Sequence, residues 1–87
     1  MRRRVVVYGR VQGVFFRDSL RRRAEAEGIA GWARNTTEGT VEAVFEGEPA
    51  SVERLIAFAR EGPPDARVED VRIFEEEAES LSGFSIR

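Results

Sequence analysis

The chain has 87 residues, of which 41% are hydrophobic, and its fourteen arginines face sixteen acidic residues for a formal net charge of −2. A chain of this length forms one small core, so we expect a single domain over residues 1–87. No apolar run approaches the roughly 20 residues of a membrane span, and no signal-peptide region follows the first arginines. We therefore expect a cytoplasmic protein that binds no membrane.

Three residue types with chemical importance are missing, because the chain contains no cysteine, histidine or lysine. Their absence excludes a disulfide framework, a cysteine or Ser–His nucleophile, a lysine Schiff base and a zinc site of thiolates or imidazoles. Any catalysis must use arginine, backbone N–H groups, carboxylates, hydroxyls or carboxamides. The single glutamine is Gln12 and the single asparagine is Asn35.

The charge is unevenly distributed along the chain. Residues 1–34 hold nine arginines and three acidic residues, whereas residues 35–87 hold five arginines and thirteen acidic residues. The positive first part can attract an anion, while the acidic second part argues against a broad nucleic-acid surface. An RNA-binding module would also need exposed aromatic residues on a basic sheet, and Glu42 and Glu46 disagree with that.

The chain begins with a charged run that leads into an apolar one. Arg2–Arg4 is a phosphate-binding arm or, as is more common, either a solvated run or a run that flanks an edge strand and guards it against aggregation. Val5–Tyr8 is apolar on both faces, which predicts an inner strand.

The segment Gly9–Arg17, Gly-Arg-Val-Gln-Gly-Val-Phe-Phe-Arg, joins this strand to a predicted helix. A strand-to-helix turn that contains glycine can point several N–H groups inward, and the helix N terminus adds a positive dipole end. Arg17 would add a planar guanidinium suited to phosphate or carboxylate. The spacing alone fits a plain turn with a surface arginine equally well, and it matches neither a P-loop nor a dinucleotide fingerprint.

The next elements are a helix and a hairpin. Phe16, Leu20 and Ala24 form one stripe and predict a helix over 16–27 that stops at Gly28. Residues 29–34 and 40–47 read as two strands joined by a turn at 36–39, with Trp32 expected in the core.

The remaining elements complete the order. The pattern predicts a second helix from Pro49 to about Gly62, an outer strand at 67–74, a solvated loop at Glu75–Glu77 and a short closing strand at 84–87. The order β-α-β-β-α-β with a short final strand predicts an α+β fold. We expect a ferredoxin-like βαββαβ sandwich, with an antiparallel sheet, two helices on one face and a short C-terminal strand.

In that topology the first β-to-α turn and the strand that ends at Asn35 lie side by side. A carboxamide beside an anion site offers a donor and an acceptor, which can orient a water molecule. Asn35 is equally acceptable as a turn residue before Thr36-Thr37-Glu38-Gly39.

Two ordered motifs resemble the acylphosphatase family. Gly9–Arg17 agrees with the family's loop, Gly-x-Val-Gln-Gly-Val-x-Phe-Arg, at every fixed position, and Gly31–Thr36 followed by Gly39–Glu42 is similar to its second motif. Gly62–Val68 and Phe84–Arg87 also fit, so the resemblance covers nearly the whole chain.

The resemblance implies hydrolysis of acyl phosphates to a carboxylate and inorganic phosphate, without a cofactor or metal. It implies that Arg17 and loop N–H groups hold the phosphoryl group, that Asn35 positions the attacking water, and that the Thr36 hydroxyl supports the site. The loop residues concerned are Gln12, Gly13, Val14, Phe15 and Phe16.

The chemistry of the residues agrees with this reaction, since phosphoryl transfer asks mainly for positioning and charge stabilisation. A carboxylate, whose conjugate acid has a pKa of about 4, leaves without a general acid. We expect a monomer whose partners are an acyl phosphate substrate and inorganic phosphate, as product and inhibitor, with no nucleic acid. The alternatives are a domain of a larger carbamoyl-phosphate-using maturation protein and a module without turnover.

Overall fold

The computed structural model describes all residues from Met1 to Arg87 as a five-stranded sheet with two helices packed on one face. The elements in chain order are β1 (Arg2–Arg10), α1 (Phe16–Glu27), β2 (Ala30–Asn35), β3 (Val41–Glu46), α2 (Pro49–Glu61), β4 (Arg67–Glu76) and β5 (Phe84–Ile86). Neither helix is long and apolar enough to cross a membrane.

The strand order in the sheet is β4-β1-β3-β2-β5. Strands β1 to β4 pair antiparallel, and β3 lies between β1 and β2, which gives the interleaved arrangement of a ferredoxin-like sandwich. The predicted fold is therefore confirmed. The short strand β5 pairs in parallel with β2, so the sheet as a whole is mixed.

The core lies between the inner face of the sheet and the two helices. The stripe of α1, Phe16, Leu20 and Ala24, is buried as its spacing predicts. The helix ends at Gly28, whose φ of 68° is the left-handed conformation that commonly closes helices. From the sheet and α2, the buried hydrophobic partners of this stripe include Val5, Val7, Ala33, Ala43, Phe45, Val52, Leu55 and Ala59.

Trp32 does not belong to this core, so that prediction is wrong. Alternation along β2 gives the inner face to Gly31 and Ala33, and Trp32 is half-buried on the outer face. The Arg87 guanidinium lies 4.5 Å from the centre of its ring.

The predicted solvated loop at Glu75–Glu77 is also wrong in part, because β4 continues through Glu76. The Glu76 carboxylate accepts hydrogen bonds from Arg2 Nε at 2.9 Å and from Arg4 Nε at 3.0 Å. The run of glutamates therefore begins as a strand opposite the run of arginines.

Arg2 and Arg4 belong to a group of charged residues that we call the arginine–glutamate cluster, at the end of the sheet where the inner strand β1 begins. Its members are Arg2, Arg4, Glu42, Glu46 and Glu76. The side chains of Arg2 and Glu46 are only 8% and 9% exposed. The two arginines are therefore part of the folded structure, and neither a free arm nor a solvated run. They do not guard an edge strand either, because β1 lies between β4 and β3.

Candidate active site

The turn between β1 and α1 has an unusual backbone. Gly13 has a φ of 73° and Phe15 a φ of 62°, while Val14 between them has a negative φ. Alternation of this kind turns successive N–H groups toward one side of the chain, which forms a concave site for an anion. Phe15 adopts the left-handed conformation although it carries a Cβ, at a cost on the order of 1–2 kcal/mol that the surrounding structure must offset.

The N–H groups of this turn have no acceptor in the protein. None of the main-chain N–H groups from Gln12 to Arg17 donates to a main-chain oxygen. The first main-chain donor after β1 is the N–H of Ser19, which donates to the Phe15 carbonyl at 3.0 Å. The first N–H groups of a helix lack an intrahelical acceptor by geometry, and the positive end of the helix dipole lies among them. The turn and the first residues of α1 thus form one group of unpaired donors.

Arg17 stands in the first turn of α1 and is half-buried. Its Nη1 donates to the main-chain oxygen of Arg87 at 3.2 Å, and its guanidinium forms no ion pair with any aspartate or glutamate. The neighbouring carboxylate, Asp18, contacts other arginines, since it lies 2.6 Å from Arg21 Nη2 and 3.0 Å from Arg22 Nε. No aspartate or glutamate side chain neutralises Arg17, so its guanidinium can bind an external anion while keeping the hydrogen bond to Arg87 or exchanging it.

Asn35 is the last residue of β2 and lies half-buried beside this turn. Asn35 and Arg17 line the same pocket, of about 270 Å³, together with Gly13 and Phe15 from the turn. The Asn35 carboxamide makes no hydrogen bond within the protein, in contrast to the carboxamide of Gln12. The predicted neighbourhood of the first turn and Asn35 is thus what the structure shows.

Gln12 and Thr36 lie next to the pocket, but their side chains do not line it. Gln12 Nε2 donates to the carbonyls of Thr36 at 2.8 Å and of Thr40 at 3.0 Å, and the hydroxyls of Thr36 and Thr40 are 2.6 Å apart. These bonds tie the first turn to the hairpin that carries Asn35. Through its side chain, Gln12 therefore fixes the distance between the two halves of the site.

The other predicted residues of the turn differ in what they offer. The side chains of Val14 and Phe16 are buried at 4% and 2% exposure, so Val14 can contribute only its main chain to the site. Both phenylalanines line the pocket, but Phe16 does so from a buried position, whereas Phe15 is 79% exposed.

Four residues were not predicted to take part in the site, although the first three line the pocket and the fourth supports the hairpin: Ile86, Val11, Asp18 and Thr40. Ile86 reaches the pocket because β5 pairs with β2, a long-range contact for which the sequence carries no local signal. Thr40 stands in the second motif, and its spacing from Thr36 across the turn was the available signal.

Comparison with known proteins shows similarity over almost the entire chain. A model of the acylphosphatase family matches residues 3–86. The acylphosphatase of Rubrobacter xylanophilus is 58% identical over 85 residues, which cover 97% of this chain and 77% of that protein. The structure of an acylphosphatase from Coxiella burnetii is similar with a TM-score of 0.94 and 43% identity, and the match covers 99% of this chain and 90% of the other.

A larger protein contains a similar fold. Full-length HypF, in its phosphate- and nucleotide-bound form, matches with a TM-score of 0.90 and 28% identity over 99% of this chain and 11% of its own.

Proposed function

This chain belongs to the acylphosphatase family and is a hydrolase of acyl phosphates, and we propose that it works through Arg17, the N–H groups of the first turn and Asn35. The observation that carries the proposal is that Arg17 and Asn35 border one pocket whose neighbouring main-chain donors have no acceptor in the protein.

The first step of the proposed reaction is capture of the phosphoryl group. Its oxygens accept hydrogen bonds from the N–H groups of the turn and from the Arg17 guanidinium, which fits phosphate oxygens as a planar fork. The alternating φ values at Gly13 and Phe15 support this role, since they aim the donors before the substrate arrives. The site therefore needs little rearrangement when the substrate binds. Its donors stabilise the transition state, in which negative charge is spread over the oxygens of the transferring phosphoryl group.

The second step is attack by water. Asn35 has a free carboxamide at the wall of the pocket, so it can accept a hydrogen bond from a water molecule and direct the oxygen toward phosphorus. The water oxygen forms a bond to phosphorus while the bond from phosphorus to the acyl oxygen breaks. The electron pair of that bond leaves with the carboxylate, and a phosphate oxygen takes the proton of the water.

This chemistry needs no general acid from the protein, because a carboxylate is a weak base and leaves unprotonated. The chain, which lacks histidine and cysteine, therefore still has the groups that the reaction requires. Inorganic phosphate, the product, fits the same donors and should inhibit competitively. We expect the enzyme to act as a monomer in the cytoplasm.

The direct test is phosphate release from acetyl phosphate by the purified protein, in the presence and absence of a chelator and with added inorganic phosphate. The proposal expects turnover that the chelator does not change and that phosphate inhibits by raising KM. Absence of turnover, or phosphate inhibition that lowers kcat alone, would contradict it.

A further inference from the structure

Phe15 is the most exposed large hydrophobic residue of the protein, at 79% exposure. Its two neighbours, Val14 and Phe16, are buried, so the ring points away from the core while the turn holds its backbone in the left-handed conformation. The exposed ring contributes no burial energy that would offset the strain of the backbone. Strained backbone conformations are concentrated at functional sites.

The ring stands between two concave surfaces. One is the pocket of Arg17 and Asn35, and the other is a trough of about 390 Å³ whose wall includes Pro63 and Pro64. Both surfaces are lined by Phe15 and Asp18, so they lie next to each other on either side of these two residues. A substrate whose phosphoryl group lies in the pocket can thus extend its acyl group along the ring into the trough.

The charges of the trough restrict what it can hold. Asp18 and Asp65 contribute two carboxylates and Arg22 one guanidinium, and Arg22 already contacts Asp18 at 3.0 Å. The Asp65 carboxylate belongs to no ion pair. A carboxylate or a second phosphate on the acyl group would meet repulsion there, whereas an uncharged apolar group would contact the Phe15 ring and the exposed Pro64.

We propose that Phe15 and the trough beside Pro63 and Pro64 form the acyl subsite, which selects acyl phosphates with uncharged, preferably aromatic, acyl groups. This inference rests on the proposed function, since it takes the neighbouring pocket as the phosphoryl site. The ring then determines specificity through contact with the substrate, separately from the N–H group of the same residue.

The experiment compares kcat/KM for acetyl, benzoyl and succinyl phosphate, which present a small, an aromatic and an acidic acyl group. The expected order for the natural protein is benzoyl above acetyl and acetyl above succinyl. The Phe15→Asn variant removes the ring but keeps a residue that tolerates the left-handed conformation. We expect the ratio of benzoyl to acetyl turnover to fall about tenfold, the effect of one good aromatic contact.

Two further variants make the test specific. Phe74→Asn changes another exposed aromatic ring, which lies on β4 beneath the Arg4 guanidinium and away from the trough, and should leave the ratio unchanged. Asp65→Asn removes the unpaired carboxylate and should raise succinyl turnover relative to acetyl by about threefold, as expected for one partly exposed charge.

The outcomes separate this inference from the proposed function. If the natural protein hydrolyses none of the three substrates, the proposed function fails. If it hydrolyses acetyl phosphate but Phe15→Asn lowers all rates equally, or changes none, the acyl subsite is overturned while the phosphoryl site stands. A preference of the natural protein for succinyl phosphate would also overturn it.

Discussion

The two ends of β1 show how one strand serves opposite purposes. Arg2, at its beginning, is 8% exposed and lies within 4.0 Å of the carboxylates of Glu46, Glu76 and Glu79. Arg17, in the first turn of the helix that follows the strand, has one hydrogen bond to the main-chain oxygen of Arg87 and no aspartate or glutamate partner. By the rise of a strand, the two ends of β1 are roughly 26 Å apart.

The difference between the two arginines lies in what their surroundings leave unpaired. In the arginine–glutamate cluster, a hydrogen bond from the Glu79 N–H, aided by the Leu81 N–H and Arg2, lowers the pKa of Glu46 although burial opposes the shift. Burial acts to lower the pKa of Arg2, but the hydrogen bond to Glu76 and the charges of Glu79 and Glu76 raise it above its ordinary value. At the pocket, by contrast, the donors keep their capacity for a ligand. Stability is thus concentrated at one end and reactivity at the other.

The largest effect is expected for Arg17→Ala. The control is Arg60→Ala, which changes an exposed arginine of α2 that does not line the pocket and should leave turnover unchanged. For Arg17→Ala we expect kcat/KM for acetyl phosphate to fall by about 10³-fold or more, as for other arginines that stabilise a transferring phosphoryl group. The free energy of unfolding should change little, because Arg17 gives up only one hydrogen bond. A folded Arg17→Ala protein with normal turnover would remove the basis of the phosphoryl site.

The converse substitution is Arg2→Met, which removes the hydrogen bond from Arg2 Nε to the Glu76 carboxylate and the charge beside Glu46. A hydrogen bond between charged groups contributes about 2 kcal/mol, so we expect the free energy of unfolding to fall by about that amount. The kcat for acetyl phosphate at 25 °C should remain unchanged in the folded fraction. Urea denaturation and steady-state kinetics measure the two quantities. A loss of kcat at normal stability would contradict the assignment of Arg2 to stability alone.

The Asn35→Ala variant tests whether Asn35 acts in catalysis or in phosphate binding. If Asn35 directs the water, kcat should fall about 100-fold, a size typical of lost positioning, while the inhibition constant of inorganic phosphate stays the same. Competitive inhibition assays at several phosphate concentrations supply both values. Weaker phosphate inhibition at an unchanged kcat would instead assign Asn35 to binding.

The smallest effect concerns pH and the arginine–glutamate cluster. The hydrogen bond from Arg2 lowers the pKa of Glu76, and the pKa of Glu46 is lowered as described, both from an ordinary value of 4.5. A carboxylate with a lowered pKa in the folded state contributes stability that is fully present above the unfolded pKa and disappears as pH falls through the folded one.

We therefore expect urea stability to stay level between pH 7 and about 5.5 and to decline progressively below about pH 4.5. The Glu46→Gln variant should be less stable at pH 7 and should show a weaker decline on acidification. The same decline in both proteins would mean that other carboxylates dominate the acid response.

The sequence predicted the elements of this fold well because its periodic stripes and stop signals are local. The helix over Phe16–Glu27 and the hairpin before and after Thr36–Gly39 depend on neighbours in the chain, and both formed as predicted. The errors concern long-range partners. Glu76 belongs to a strand where Arg2 lies opposite it and the Arg4 side chain donates to it, and nothing near Glu76 in the chain indicates that pairing.

The site was predictable to a similar degree. The pairing of the first turn with Asn35 follows from topology, and the structure brings Arg17 and Asn35 to one pocket. That Gln12 uses its side chain to bind the hairpin, or that Ile86 borders the pocket, depends on side-chain directions and on the parallel pairing of β5, which a one-dimensional pattern does not contain.

Glu46 gives the irregular segment after β4 an unexpected rigidity. Its two carboxylate oxygens accept the N–H groups of Glu79 and Leu81, each at 2.8 Å, shortly before the chain enters β5 and ends beside Arg17. The middle of the segment is thereby tied to β3, because both donors bond to one side chain of that strand. The two amide protons should therefore exchange slowly with deuterium. The segment should also resist proteolysis, although it has no regular secondary structure of its own.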